Sequence, residues 1–128
     1  MAFPEHQQEI LRKPVFAHVA TIGPNGGPQV SPVWIDWDGE FLRFSQTTTR
    51  QKLANLSRDR RIAVSVLDPD DPYVYVEVRG EVEGIEDDVD KAFIDAMARK
   101  YLGTPYPWHS DDEKRVIVRV RPERFVGR

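Results

Sequence analysis

From Tyr73 to Ile85 the side chains alternate, with Val74, Val76, Val78 and Val82 on one face and Tyr75, Glu77, Arg79, Glu81 and Glu83 on the other. A period of two marks a β-strand with one buried and one wet face. The run is long, and Gly80 allows it to bend. A long, bent, two-faced strand suits a closed barrel better than a flat sheet.

The rest of the chain supplies partners for such a strand. Val15 to Ile22 and Arg61 to Leu67 read as strands, the second with Ile62, Val64 and Val66 on one face. Gln29 to Trp37 alternates Val33, Ile35 and Trp37 against Trp34 and Asp36, and Asp38-Gly39 makes a hairpin turn into Glu40 to Gln46. Pro32 cannot donate to a ladder, which puts it at an edge or a bulge. Glu113 to Arg121 is the last strand, with Val116, Val118 and Val120 inward and Arg115, Ile117, Arg119 and Arg121 outward. Helices are expected at Glu5 to Arg12, a lid or brace with Ile10 and Leu11 inward, and from Thr49 to about Asp59. A third, capped by Asp87, carries an inward stripe of Val89, Ala92, Phe93, Ala96, Met97 and Tyr101. Gly103 ends it, and Thr104 to His109 form a stiff aromatic loop. Strands follow strands through short turns and no glycine-rich dinucleotide fingerprint is present, so the expectation is mainly β with α decoration. About six strands build a barrel in a single domain spanning residues 1–128.

Much chemistry is excluded at once. With no cysteine among 128 residues there is no disulfide, thiolate nucleophile or zinc-thiolate site. His6, His18 and His109 share no ligand spacing. His18 reads as a satisfied core or interface residue, and His109, in the aromatic loop, is better placed to touch substrate. Ser45 and Ser65 lack the strained elbow of a hydrolase. Asp68-Pro69-Asp70-Asp71-Pro72 breaks the spacing of a calcium loop and reads as a solvated turn, so no metal is expected. The N-terminus has no basic start with an apolar run, and no segment reaches membrane-spanning length, which predicts a cytoplasmic protein. A net charge of −3 argues against nucleic-acid binding through Arg115, Arg119, Arg121 and Arg124.

One stretch carries positive evidence for a ligand. Leu42 to Leu56 runs from strand through Ser45, Gln46, Thr47, Thr48 and Thr49 into a helix, with Thr49 as N-cap and Arg50, Gln51 and Lys52 in the first turn. The macrodipole disfavours cations there by about 0.3–1 kcal/mol each. A bound anion reverses that sign, and free N–H groups, hydroxyls and two basic side chains describe a phosphate cradle. The alternative is a solvated helix start. Trp34, Trp37, Tyr73, Tyr75, Tyr106 and Trp108 offer planar walls. An anion cradle on an aromatic-rich barrel suits a redox cofactor with a phosphate and a flat ring, which brings its own chemistry.

The succession Ala20 to Trp34 (ATIGPNGGPQVSPVW), then Phe44-Ser45-Gln46 and Arg50 to Arg61 (RQKLANLSRDRR), resembles the pyridoxamine-phosphate-oxidase-like split-barrel family, and within it the coenzyme F420-dependent (deazaflavin) reductase branch. The resemblance runs from Val15 to Val126. It implies a six-stranded split barrel, a homodimer with a cofactor site at the subunit interface, and an F420-dependent oxidoreductase, with FMN as the alternative cofactor. Ser45, Gln46, Thr47, Thr49, Arg50 and Lys52 would hold the phosphate, and Val33 and Trp34 would lie along the tricyclic ring. The partner chain would contribute near Tyr75 and Glu77 and around Trp108. Arg58, Arg60, Arg61 and Arg119 would attract an acidic cofactor tail, or else belong to an ordinary charged surface. The C-terminal Arg and His segment of the vitamin B6 oxidases has no clear equivalent in this chain. The acceptor is expected to be a quinone, an enone or a tetrapyrrole, with the proton drawn from solvent. An FMN oxidase or flavin reductase, and a non-enzymatic cofactor carrier, are the competing readings.

Overall fold

The computed structural model describes residues 3–127. Along the chain lie α1 (Glu5–Arg12), β1 (Phe16–Ile22), β2 (Pro28–Trp34), β3 (Asp36–Trp37), β4 (Leu42–Thr47), α2 (Gln51–Arg58), β5 (Arg61–Asp68), β6 (Asp71–Asp87), α3 (Ala92–Leu102) and β7 (Arg115–Gly127). The strands form one antiparallel sheet in the order β2-β1-β5-β6-β7-β4-β3.

The two outermost strands of that order are consecutive in sequence. Gln29 to Trp37, expected as one strand, is therefore two short ones at opposite edges of the sheet, joined through Ile35 alone. One residue cannot span a flat sheet, so the sheet must curl until its edges meet. The result is a mainly β split barrel of six principal strands plus the two-residue β3, with its seam at Ile35. Pro32 sits on edge strand β2, opposite His18, where a missing donor is harmless.

The seam leaves the Ile35 amide and carbonyl to other partners. Its N–H donates to the Tyr101 hydroxyl oxygen at 3.0 Å, and its carbonyl accepts from Lys100 Nζ at 2.8 Å. The Tyr101 hydroxyl in turn donates to the Val15 carbonyl. A buried, unpaired peptide would cost about 1–3 kcal/mol per group, and the end of α3 removes that cost.

The barrel interior is aliphatic, as the alternation predicts. Val19, Val64, Val66, Val76, Val78, Val118 and Val120 are buried from the strands, with Leu42 and Phe44 from β4 and Leu11 from α1. β6 bends at bulges beside Gly80 and Gly84. At Gly80 a Cβ would collide with the Arg121 carbonyl oxygen, so only glycine permits that approach. β7 runs on to Gly127, where the sequence suggested only a tail after Arg121.

The third helix differs from its expected phase. Asp88, rather than Asp87, accepts from the Phe93 and Ile94 amides at 2.8 and 3.0 Å. A 3-10 turn at Val89–Lys91 follows, and both Asp90 and Lys91 take φ of 56°. That kink resets the helical register. Ile94, Met97 and Ala98 face inward, while Val89, Ala92 and Ala96 are exposed. His18, expected in the core or an interface, is not in the core but on the exposed outer face of β1. No helix among the described residues is long and apolar enough to cross a membrane.

Candidate functional site

Three elements converge where β4 ends. β4 delivers Ser45, Gln46 and Thr47, a tight turn follows, and α2 starts at Gln51 with Arg50, not Thr49, as its N-cap residue. Arg50 has an extended backbone and makes no side-chain capping bond, so nothing in the local sequence closes the helix start. The amides of Gln51 and Lys52 have no acceptor among the described residues. Asn55, fully buried one turn later, ties this helix to β1 and β2. Its amide donates to Thr21 Oγ1 at 3.0 Å and Gln29 Oε1 at 2.7 Å, and its oxygen accepts from Gln51 at 2.8 Å.

This helix start opens into a cleft of about 720 Å³. Part of its lining is polar and basic, formed by Ser45, Gln46, Thr47, Arg50, Gln51, Lys52 and Arg115. Another part is apolar and aromatic, formed by Val33, Trp34, Ile94, Met97, Tyr106 and Trp108, and Arg115 touches both through Ser45 and Tyr106. No carboxylate is among the lining residues, although acids outnumber bases in the chain as a whole. The cleft concentrates positive potential.

Lys52 feels that environment most. Its Nζ donates to Gln46 Oε1 at 3.0 Å and lies 5.8 Å from the centre of the Phe44 ring. Burial, with the nearby Arg50 charge, pushes its amine down to about 8. Its positive charge has no counter-ion among the described residues. Arg50 makes no side-chain ion pair or hydrogen bond among the described residues. Arg115 is the third cation, and its side chain is only 9% exposed. It donates to Ser45 Oγ at 3.1 Å, Tyr106 Oη at 3.0 Å and Glu113 at 3.0 Å, and its guanidinium lies 4.8 Å from the Tyr106 ring centre. It joins the aromatic loop to β4.

The aromatic end is braced from behind. Trp34 stacks on Tyr101 at 4.9 Å and 14°. Tyr106 meets Trp34 and Trp108 edge-on at 6.3 and 5.4 Å. Asp95 accepts from the Tyr106 amide at 3.0 Å and lies 2.8 Å from His109 Nε2, and these bonds, the His109 one foremost, hold its carboxyl below the usual range. His109 thus anchors the loop to α3 and does not line the cleft.

The structure brings together Val33, Trp34, Ser45, Gln46, Thr47, Arg50, Lys52 and Trp108 in this cleft; Trp108, expected from the partner chain, lines the cleft of its own chain, because Asp95 and Arg115 tether its loop there through Tyr106. Thr49 lies apart, in a small recess with Thr48, Ser110 and Asp112. Tyr75 and Glu77 are on the outer face of β6, away from the cleft of the same chain. Trp37 is buried in the core and donates to Gln8, and Tyr73 is 78% exposed on the surface, so neither walls the cleft. Arg60 is taken by the Val82 carbonyl, Arg61 by Asp59, and Arg119 by Glu83 and Glu86. Arg58 bonds the Ile22 carbonyl. None of these four lines the cleft, and each already has a partner in the chain. Between Asp68 and Asp70 lies Lys13 Nζ, at 3.0 and 2.8 Å, so that turn already holds a cation of the chain's own. Gln51, Met97, Ile94 and Arg115 were missed. Arg115 reads as one more outward residue of a strand, and only its contacts with the distant Ser45 and with Tyr106 in the loop reveal its role.

Comparison with known proteins gives this geometry a lineage. A solved structure named an F420 reductase is 44% identical to this chain, with a TM-score of 0.89 over 97% of this chain and 98% of that one. A conserved hypothetical protein from Mycobacterium tuberculosis is 25% identical, with a TM-score of 0.77 over 99% and 84% of the two chains. General Stress Protein 26 from Bacillus anthracis, 17% identical with a TM-score of 0.73 over 96% and 91%, shares the fold. No curated protein matches. The family model described as pyridoxamine 5'-phosphate oxidase matches residues 3–127. Because that match spans the barrel, the helix start and the aromatic loop alike, the chain belongs to the pyridoxamine 5'-phosphate oxidase family.

Proposed function

We propose that this protein is an F420-dependent oxidoreductase, acting on an electron-poor organic acceptor of the quinone, enone or tetrapyrrole class. One observation carries the reading. Lys52 and Arg50 stand beside unpartnered helix amides in a cleft to which this chain contributes no carboxylate, and the same lining carries Val33, Trp34, Tyr106 and Trp108. A phosphate suits the first group and a planar ring the second. The 44% identical F420 reductase supports the deazaflavin over its analogues.

When bound, reduced F420 supplies a hydride from its deazaflavin ring. The chain's own residues do the rest. Lys52, Arg50 and the Gln51 and Lys52 amides neutralise the phosphate, with Ser45, Gln46 and Thr47 beside them and Thr49 further out. Val33 and Trp34 give the ring a flat seat. Trp108 and Tyr106 cover it and limit water. This chain's own lining offers no paired acid and base, which supports solvent as the source of the acceptor's proton.

A second copy of the chain completes the site in this reading. The outer face of β1, β5 and β6 exposes Phe16, Leu67, Tyr73 and Tyr75, and Pro32, His18, Ser65 and Glu77 form one row across it. That apolar face abuts the cleft-lining Phe16 and Trp34, so a symmetric partner seated there presents its Tyr75 and Glu77 to the cleft. Phe16→Glu with Leu67→Glu should give a monomer in sedimentation and weaken cofactor binding together.

The deciding experiment is titration of the wild type and Lys52→Ala with F420 and with FMN, followed by turnover with quinone, enone and tetrapyrrole acceptors. Tighter F420 binding, lost in the variant, supports the proposal. FMN bound through dialysis points to the flavin oxidase or reductase reading. Tight binding without turnover points to a carrier. Equal affinity in both proteins removes the cradle.

A further inference from the structure

The seam of the barrel and the aromatic end of the cleft are one structure. Trp34 is the last residue of β2, Ile35 is the crossover, and Tyr101 touches both. Its hydroxyl receives the Ile35 N–H and donates to Val15, while its ring lies parallel to the Trp34 indole at 4.9 Å. Lys100 holds the Ile35 carbonyl from the same helical turn. Tyr101 is itself absent from the cleft lining, so it stands behind the wall. Edge strands slip and fray more easily than central ones, and here the edge strand carries a ligand-facing indole.

We propose that Tyr101 is a positioning residue for ligand binding: its stack on Trp34, fixed by the seam hydrogen bonds, sets the plane on which a flat ring docks. The inference rests on the reading that a planar, phosphate-bearing cofactor occupies this cleft. A tilt of the indole costs the ring contact and leaves the phosphate contacts intact, because these come from α2 and β4. Tyr101 therefore acts on one end of the ligand only.

The test uses the full-length protein and three ligand probes: F420, FMN and inorganic phosphate. Tyr101→Leu removes the flat ring and the hydroxyl, and Tyr101→Phe restores the ring. For Tyr101→Leu the expected result is about tenfold weaker binding of F420 or FMN, in the range of a lost aromatic stack. Phosphate binding, followed at the Gln51 and Lys52 amides by NMR, should be unchanged. Tyr101→Phe should bind both cofactors within about threefold of wild type, while the Ile35 amide exchanges faster with solvent. If Tyr101→Leu does not fold, Tyr101→Met, which keeps the bulk without the plane, takes its place with the same expectation.

Wild-type cofactor affinity in the Leu or Met variant overturns the proposal. So does a Phe variant as weak as Leu, or an equal loss of phosphate binding, since each assigns the effect to something other than the stack. A failure of the functional reading looks different: the wild type itself binds neither cofactor, or binds both as well after Lys52→Ala.

Discussion

Two groups of cations lie on this barrel and have opposite surroundings. On the outer face of β7, Arg119 pairs with Glu83 and Glu86, and Arg121 with Glu81, all on neighbouring β6. At the start of α2, Arg50 and Lys52 face a lining without a carboxylate. In sequence the two groups look alike. The difference lies in what the fold sets opposite them: a cross-strand glutamate satisfies a charge on the spot, whereas an open helix start leaves it for a ligand. Arg115 is intermediate, paired with Glu113 yet in contact with the cleft.

That contrast breaks first at Lys52. Lys52→Ala should weaken phosphate-bearing ligands by about thirtyfold, near 2 kcal/mol for a lost charged hydrogen bond, as read by titration. If it binds as well as wild type, the two groups are equivalent after all. Next comes pH. Because the folded amine titrates near 8, well below its ordinary value, ligand affinity should fall as pH rises through that region, and Lys52→Arg should flatten the profile. The stability of the ligand-free protein runs the other way. Between about 8 and 10.5 the unfolded chain binds more protons at Lys52 than the folded one, so its contribution to stability rises with pH across that window. Melting curves of wild type against Lys52→Met isolate it. Arg115→Met should reduce affinity by about fivefold, with faster proteolysis of the loop near Trp108 as Tyr106 loses its tether. Smallest of all is Arg119→Ala, with unchanged binding and little change in stability, because solvent screens its pairs with Glu83 and Glu86. A binding defect there would return Arg119 to the ligand site.

The barrel was legible because strand alternation is local. Val64, Val66, Val76, Val78, Val118 and Val120 announce their burial by spacing alone. Errors came where register is reset by a residue or two. Ile35 looks like the middle of a strand, and only sheet order shows that it divides two edges. Asp90 and Lys91, both at positive φ, break the phase that would have carried Val89 inward. The anion end of the cleft was readable because Ser45, Gln46, Thr47, Arg50 and Lys52 are neighbours in sequence. Its complement was hidden, since Arg115 meets Ser45 across 70 positions of chain, Ile94 falls outside the expected inward stripe of its helix, and Met97, inward as expected, gives no sign in its spacing that it faces a cleft.

Asn55 carries a further consequence. By gripping Gln51 on its own helix and Thr21 and Gln29 on either side of the Gly23–Pro28 turn, it makes the helix start and that turn move as one body. Anything that pulls on the first turn of α2 should quieten a loop it never touches, and the slowing of amide exchange at Gly26 on loading would be its signature.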